Sequence, residues 1–156
     1  MSKGHFISSG VQLHHLRGKR KAILTLDVIY SDSHNRIHTA RPGLLLDGRS
    51  GRGLYYLIGT PYDPRHLEAT VIHDLYCALA AMLTGEARAE MRRKGDVLFA
   101  ECLRTLPVPG WKCRSMPWAV RQQAKLHKRD PIADWSDNFV SRDAVTANSA
   151  NPFVIS

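Results

Sequence analysis

The chain has 156 residues, of which 44% are hydrophobic and 23% charged, and its formal net charge is +8 at pH 7. This size and composition predict one globular domain with a hydrophobic core of its own. The sequence has no apolar run long enough to span a bilayer. Its first residues also lack the basic region and apolar core of a signal peptide.

The cysteines and the charge distribution indicate the compartment of synthesis and the kinds of partner. Cys77, Cys102 and Cys113 form no CxxC pair and lie in predicted helices, which favours reduced thiols and synthesis in the cytoplasm. Residues 129–156 carry a net charge of −2, so the rest of the chain carries +10. Such a basic body is suited to contacts with nucleic acid, an anionic surface or an acidic partner.

The first half of the domain is predicted to be β-structure. Residues 21–30 are β-prone, residues 31–35 have turn composition, and residues 36–39 can return as a second strand. Pro42 and Gly43 turn the chain again before three leucines. We therefore expect a hairpin or a small antiparallel sheet.

A glycine-rich loop follows, from Asp47 to Gly53. It is either a plain flexible turn or a backbone cradle for an ion. Its spacing matches neither a Walker loop nor a dinucleotide fingerprint, which excludes nucleotide binding of those kinds.

Three helices are predicted after the loop. Asp63, followed by a proline, is suited to cap a helix that ends near Leu83. A second helix covers about Glu86 to Leu106, and a third covers about Trp111 to His127. Pro117 in the third helix indicates a late start or a kink.

These elements predict an α+β fold in which a hairpin or small sheet precedes three packed helices, with extended terminal arms. The domain covers residues 21–128, between an N-terminal arm of residues 1–20 and a C-terminal arm of residues 129–156. The C-terminal arm ends in an apolar run, Phe153 to Ile155. That run either docks on the body or a neighbouring subunit, or belongs to a disordered tail.

His73 and Asp74 are adjacent polar residues within an otherwise apolar helical run. His73 lies twelve positions before Gly85 and Asp96 lies eleven after it. In two antiparallel helices both would be about 17 Å from the turn, so they should face each other. Asp74 points about 100° away from His73 and is expected to look elsewhere, toward the glycine-rich loop.

Two interpretations of this arrangement stay open. In the catalytic one, Asp96 orients His73 as a general base toward water, while Asp74 and Asp47 bind a calcium ion that stabilises an oxyanion. In the structural one, a buried His–Asp hydrogen bond holds two helices together without any reaction.

Short patterns recur in a fixed order over more than half of the chain. They comprise Asp47 and Ser50, Gly59 and Pro61, Ala69–Asp74, Asp96 and Phe99, and Ala119–Arg121. In this order the chain resembles a phage and bacterial family of unknown function that has a TDxxSxPR-like loop and an AAVIHDYLY-type helix. The family's Pro-Arg after the loop serine is missing here, and its second tyrosine is moved or lost. The resemblance implies a virus or prophage origin, often among structural or late genes.

More remotely, the His-Asp helix is similar to that of calcium-dependent secreted phospholipases. That resemblance implies that His73 activates water, Asp74 binds calcium and Asp96 orients His73. The tyrosine of the phospholipase helix is replaced by Cys77, and the calcium loop and disulfides of that group have no convincing counterpart.

We therefore expect a virion-associated or late-region accessory protein. It would be made in the host cytoplasm, incorporated in the virion, and act through contacts with other virion subunits or with itself. One alternative is a calcium-assisted, phospholipase-like acyl hydrolase, intact or degenerate. Another is a basic module that binds nucleic acid or an anionic surface.

Overall fold

The computed structural model describes residues 3–15, 21–47 and 62–126, which form six short strands followed by three helices. The strands are β1 (His5–Phe6), β2 (Leu13–His15), β3 (Lys21–Leu24), β4 (Val28–Ser31), β5 (Ile37–Ala40) and β6 (Leu45–Asp47). The helices are α1 (Leu67–Ala81), α2 (Gly85–Thr105) and α3 (Gly110–Leu126). The predicted α+β class, with antiparallel strands before three helices, is confirmed.

The strands form two antiparallel sheets, with the orders β1-β4-β5 and β2-β3-β6. β4 and β5 make the expected hairpin, in the register Val28 opposite Ala40. Its turn contains Asn35 at a φ of 60°, a left-handed conformation that asparagine tolerates well.

The β-prone stretch of residues 21–30 is not one strand. It divides into β3 and β4, which belong to different sheets. At the division the backbone N–H of Thr25 donates to the carbonyl of Gln12, while that of Leu24 donates to Leu44. Residue alternation shows which side chains are buried, but it cannot show where a chain changes its pairing partner.

Residues 1–20 were expected to be an arm, but their described part supplies two strands. β1 pairs with β4, and β2 pairs with β3. Two or three residues are too few to show an alternating pattern, so these short strands leave no periodic signal in the sequence. The predicted arm of residues 129–156 lies outside the described residues.

The helices begin and end close to their predicted limits, with one exception. α1 begins at Leu67 instead of Asp63, and its N-cap residue His66 makes no side-chain capping bond. Asp63 instead accepts the backbone N–H of Arg65 at 3.0 Å and forms a turn ahead of the helix. Pro117 lies inside α3 and therefore does not mark its start.

α1 is the central element of the fold. It packs on α2 and on strands β4, β5 and β6, whereas α3 packs on α2. Tyr30, Leu44, Ile72, Phe99 and Met116 are among the fully buried core side chains. None of the three described helices has both the length and the apolar composition that crossing a membrane requires.

Candidate functional site

The structure brings His73 and Asp96 together between α1 and α2. His73 Nε2 lies 3.2 Å from Asp96 Oδ1, and His73 is only 6% exposed. Gly95 lies against Tyr76, so the contacts run in opposite directions along the two helices. The structure confirms that His73 and Asp96 lie at the same level of the two helices. A short connection between antiparallel helices fixes their register, and this is why the contact could be predicted.

Asp74 also lies beside His73, while its predicted orientation toward the glycine-rich loop involves residues outside the described part of the chain. Its Oδ1 lies 3.6 Å from His73 Nδ1, and its side chain is buried. The angle of about 100° between neighbouring residues describes how their side chains leave the helix. The carboxylate at the end of the side chain can still bend back toward the preceding residue.

Cys77 completes the surroundings of His73 but is not placed as a nucleophile. Its Sγ lies 3.8 Å from Nδ1 and also 3.8 Å from Nε2 of the imidazole. A sulfur equidistant from both nitrogens does not lie along the lone pair of either. The geometry therefore lacks the aligned hydrogen bond that activation of a thiol by a histidine requires.

The surroundings of His73 favour its protonated form. Burial opposes its protonation, but the Cys77 sulfur and the nearby carboxylates of Asp74 and Asp96 raise the pKa of His73 well above its ordinary 6.5. Its stabilising contribution is complete below that ordinary value and is lost as the pH rises through the raised pKa of the folded state. In its protonated form the ring carries a hydrogen on each nitrogen, and that form has no lone pair to act as a base or as a metal ligand.

The predicted calcium site is only partly within the described residues. Asp47 ends β6, opposite Lys21 in β3, while residues 48–53 of the loop lie outside the described part. Among the described residues, no group of three or more His, Cys, Asp or Glu side chains is arranged to hold a metal. The carboxylates of Asp74 and Asp96 both lie against the His73 ring, and a protonated ring there would repel a metal cation.

A second buried polar cluster was missed by the sequence reasoning. His38 Nε2 lies 3.2 Å from Asp32 Oδ2, and His38 Nδ1 lies 2.8 Å from the Tyr76 hydroxyl. All three residues are at most 2% exposed. The order carboxylate, imidazole, hydroxyl is that of a catalytic triad, but here it is sealed inside the core, where it ties the β4–β5 hairpin to α1.

The electrostatics of this cluster fit a structural role. Burial would raise the pKa of Asp32, yet hydrogen bonds from Arg36, His38 and His34 lower it to about 2. Burial also lowers the pKa of His38, which favours a neutral ring between its two partners. Residue alternation along β5 could have indicated that His38 is buried. It could not have indicated the partner Tyr76, which lies 38 positions away in the sequence.

An exposed groove lies between the end of α2 and α3. It encloses about 510 Å³ and is lined by Arg104, Arg114 and Arg121 beside Trp118. Among the described residues that line it, none is acidic. Within the described part of the chain, no carboxylate lies within 4 Å of these three guanidinium groups. We call this feature the α2–α3 groove.

Comparison with known proteins relates the chain to a sequence family. The sequence pattern of the family described as "Protein of unknown function (DUF1353)" matches residues 22–120. An uncharacterized protein of Sinorhizobium fredii, y4jT, is 30% identical over 98 residues, which are 62% of this chain and 27% of that protein. The chain thus corresponds to about a quarter of that relative's length. No solved structure matches the chain. Because the match spans more than half of its length, the chain belongs to the DUF1353 family.

Proposed function

We propose that the chain is a non-catalytic accessory protein of a phage or prophage particle, made in the host cytoplasm, which makes assembly contacts through the α2–α3 groove. The observation that carries the proposal is the convergence of Arg104, Arg114 and Arg121 beside Trp118. The resemblance to phage proteins encoded among structural and late genes supports the setting in a particle.

The groove has the composition of a contact surface. Three like charges on one groove repel each other, and an anionic partner relieves that repulsion. Arginine and tryptophan are also the side chains that most often dominate binding energy at interfaces. Trp118 is 52% exposed, so it is available to a partner without any rearrangement of the core.

The proposal is tested by purifying particles that contain the protein. We expect the wild-type chain to copurify with particles, and the triple variant Arg104→Gln, Arg114→Gln, Arg121→Gln to stay free. A charge-matched control, Arg92→Gln, Arg93→Gln, Lys94→Gln, removes the same charge from another part of α2 and should copurify. Wild-type protein found only free in the cytoplasm, or equal copurification of both triple variants, would refute the proposal.

A calcium-assisted acyl hydrolase is the second candidate function. The observation in its favour is that His73 meets Asp96 across two antiparallel helices, with Asp74 next to it. Against it, Asp74 lies at the ring nitrogen that would have to accept a proton from water. The protonation state of His73 tests this second candidate: nitrogen NMR of the imidazole that shows a protonated ring at pH 7 would exclude His73 as its general base, and a neutral ring would support the hydrolase.

A further inference from the structure

We propose that the α2–α3 groove binds single-stranded nucleic acid, with phosphates on its arginines and an unpaired base stacked on Trp118. This inference rests on the proposed function and names the partner of the same groove. It follows from a repeated pattern on α3, from the exposure of two tryptophans and from the absence of acidic residues along that helix.

The pattern is Trp-x-x-Arg, and it occurs twice with an interval of seven residues. Trp111 and Arg114 form the first copy, and Trp118 and Arg121 form the second. Seven residues are close to two helical turns, so the four side chains form one stripe along α3. We call it the Trp–Arg stripe. Corresponding residues of the two copies are about 10.5 Å apart along the axis, the length of about three stacked nucleotides.

The stripe faces away from the core. Met116 and Ala119, on the opposite side of α3, are fully buried, whereas Trp111 and Trp118 are 59% and 52% exposed. Both arginines of the stripe are exposed as well. Tryptophan carries a large apolar surface that folding normally covers, so two exposed indoles on one helix face indicate a surface that is covered by a ligand.

The charges favour a polyanion. α3 contains four lysines and arginines and no acidic residue, and Arg104 of α2 adds a further cation across the groove. Arginine binds phosphate through two parallel hydrogen bonds and is suited to such a ligand.

The aromatic side chains favour single strands over duplex and over an acidic peptide. An indole stacks on the face of a base, and that face is accessible only when the base is unpaired and unstacked from its neighbours. A duplex offers its phosphates but hides these faces. An acidic polypeptide would likewise satisfy the arginines and leave the indoles without a stacking partner.

The test is binding of the full chain to a fluorescently labelled oligothymidine, measured by anisotropy over a range of salt concentrations. We expect the single strand to bind more tightly than a duplex of equal length and more tightly than poly-glutamate. Trp118→Leu, which keeps an apolar side chain but removes the ring, should weaken binding about tenfold. Arg114→Gln with Arg121→Gln should weaken binding and reduce the slope of log affinity against log salt by about 1.4, for two lost phosphate contacts.

Matched controls separate binding from folding. Trp118→Leu should unfold at the wild-type urea concentration, and Arg92→Gln with Arg93→Gln should bind the oligonucleotide with wild-type affinity. The inference is overturned if duplex or poly-glutamate binds as tightly as the single strand, or if Trp118→Leu binds normally. If the triple arginine variant no longer copurifies with particles but the wild-type chain binds no oligonucleotide, the proposed function stands and this inference fails.

Discussion

The His73 cluster and the α2–α3 groove are both rich in charge, but they differ in how that charge is compensated. His73 is 6% exposed, and both of its nitrogens face a carboxylate. The three arginines of the groove are exposed and, in the described part of the chain, have no carboxylate beside them. A charged group whose partners are all internal holds the fold together, whereas one without internal partners is available to another molecule.

The difference also changes how the two regions should respond to mutation. An ion pair buried in a low-dielectric interior contributes little net stability over an apolar packing, but removal of one partner strands the other at high cost. An exposed arginine can lose its charge with almost no effect on folding. Stability and binding therefore serve as separate readouts of the two regions.

The largest expected effect is that of His73→Ala on stability. The substitution removes the imidazole that lies 3.6 Å from the buried Asp74 carboxylate and opens a cavity beside Phe99, whose ring centre lies 5.2 Å from that of His73. We expect the free energy of unfolding to fall by about 3–5 kcal/mol, measured by urea denaturation at pH 7. Arg114→Gln, in the groove, is the control and should leave the unfolding midpoint unchanged, because this side chain is exposed. An equal loss in the two variants would remove the distinction between the regions.

A smaller effect is expected from Gly95→Ala, which separates the two helices that hold the cluster. A Cβ at Gly95 would lie 2.6 Å from Tyr76 Cβ, and that neighbour is itself fixed in the core. We expect a net loss of stability, because overpacking costs about 1–3 kcal/mol and the better helix propensity of alanine returns about 1 kcal/mol. Gly110→Ala on α3 meets no atom within 4 Å and should not lower the unfolding midpoint. A Gly95→Ala variant as stable as Gly110→Ala would show that the close contact of α1 and α2 is not needed.

The register of the helix pair could be predicted from the sequence because it depends on local quantities. The rise per residue and a short connection are sufficient to bring His73 level with Asp96. The class of fold was predictable for a similar reason, since alternation and helical periodicity are visible within a few residues.

What could not be predicted depends on contacts between distant residues. The cluster of Asp32, His38 and Tyr76 joins a turn, a strand and a helix whose arrangement no local pattern specifies. The groove likewise needs Arg104 of α2 to meet α3. The Trp–Arg stripe, by contrast, is visible in the sequence as a pattern repeated after seven residues. That it faces outward follows only from the structure, in which Met116 and Ala119 on the other side of α3 are buried.

If His73 is a buried cation that holds α1 and α2 together, its imidazole must be protonated at neutral pH. Nitrogen NMR of the imidazole, recorded across a pH titration of the intact chain, reports that state. We predict that both ring nitrogens carry protons at pH 7 and that the pKa of His73 lies well above 6.5. A neutral ring at pH 7, with a pKa at or below 6.5, would contradict it and would leave one nitrogen free to act as a base.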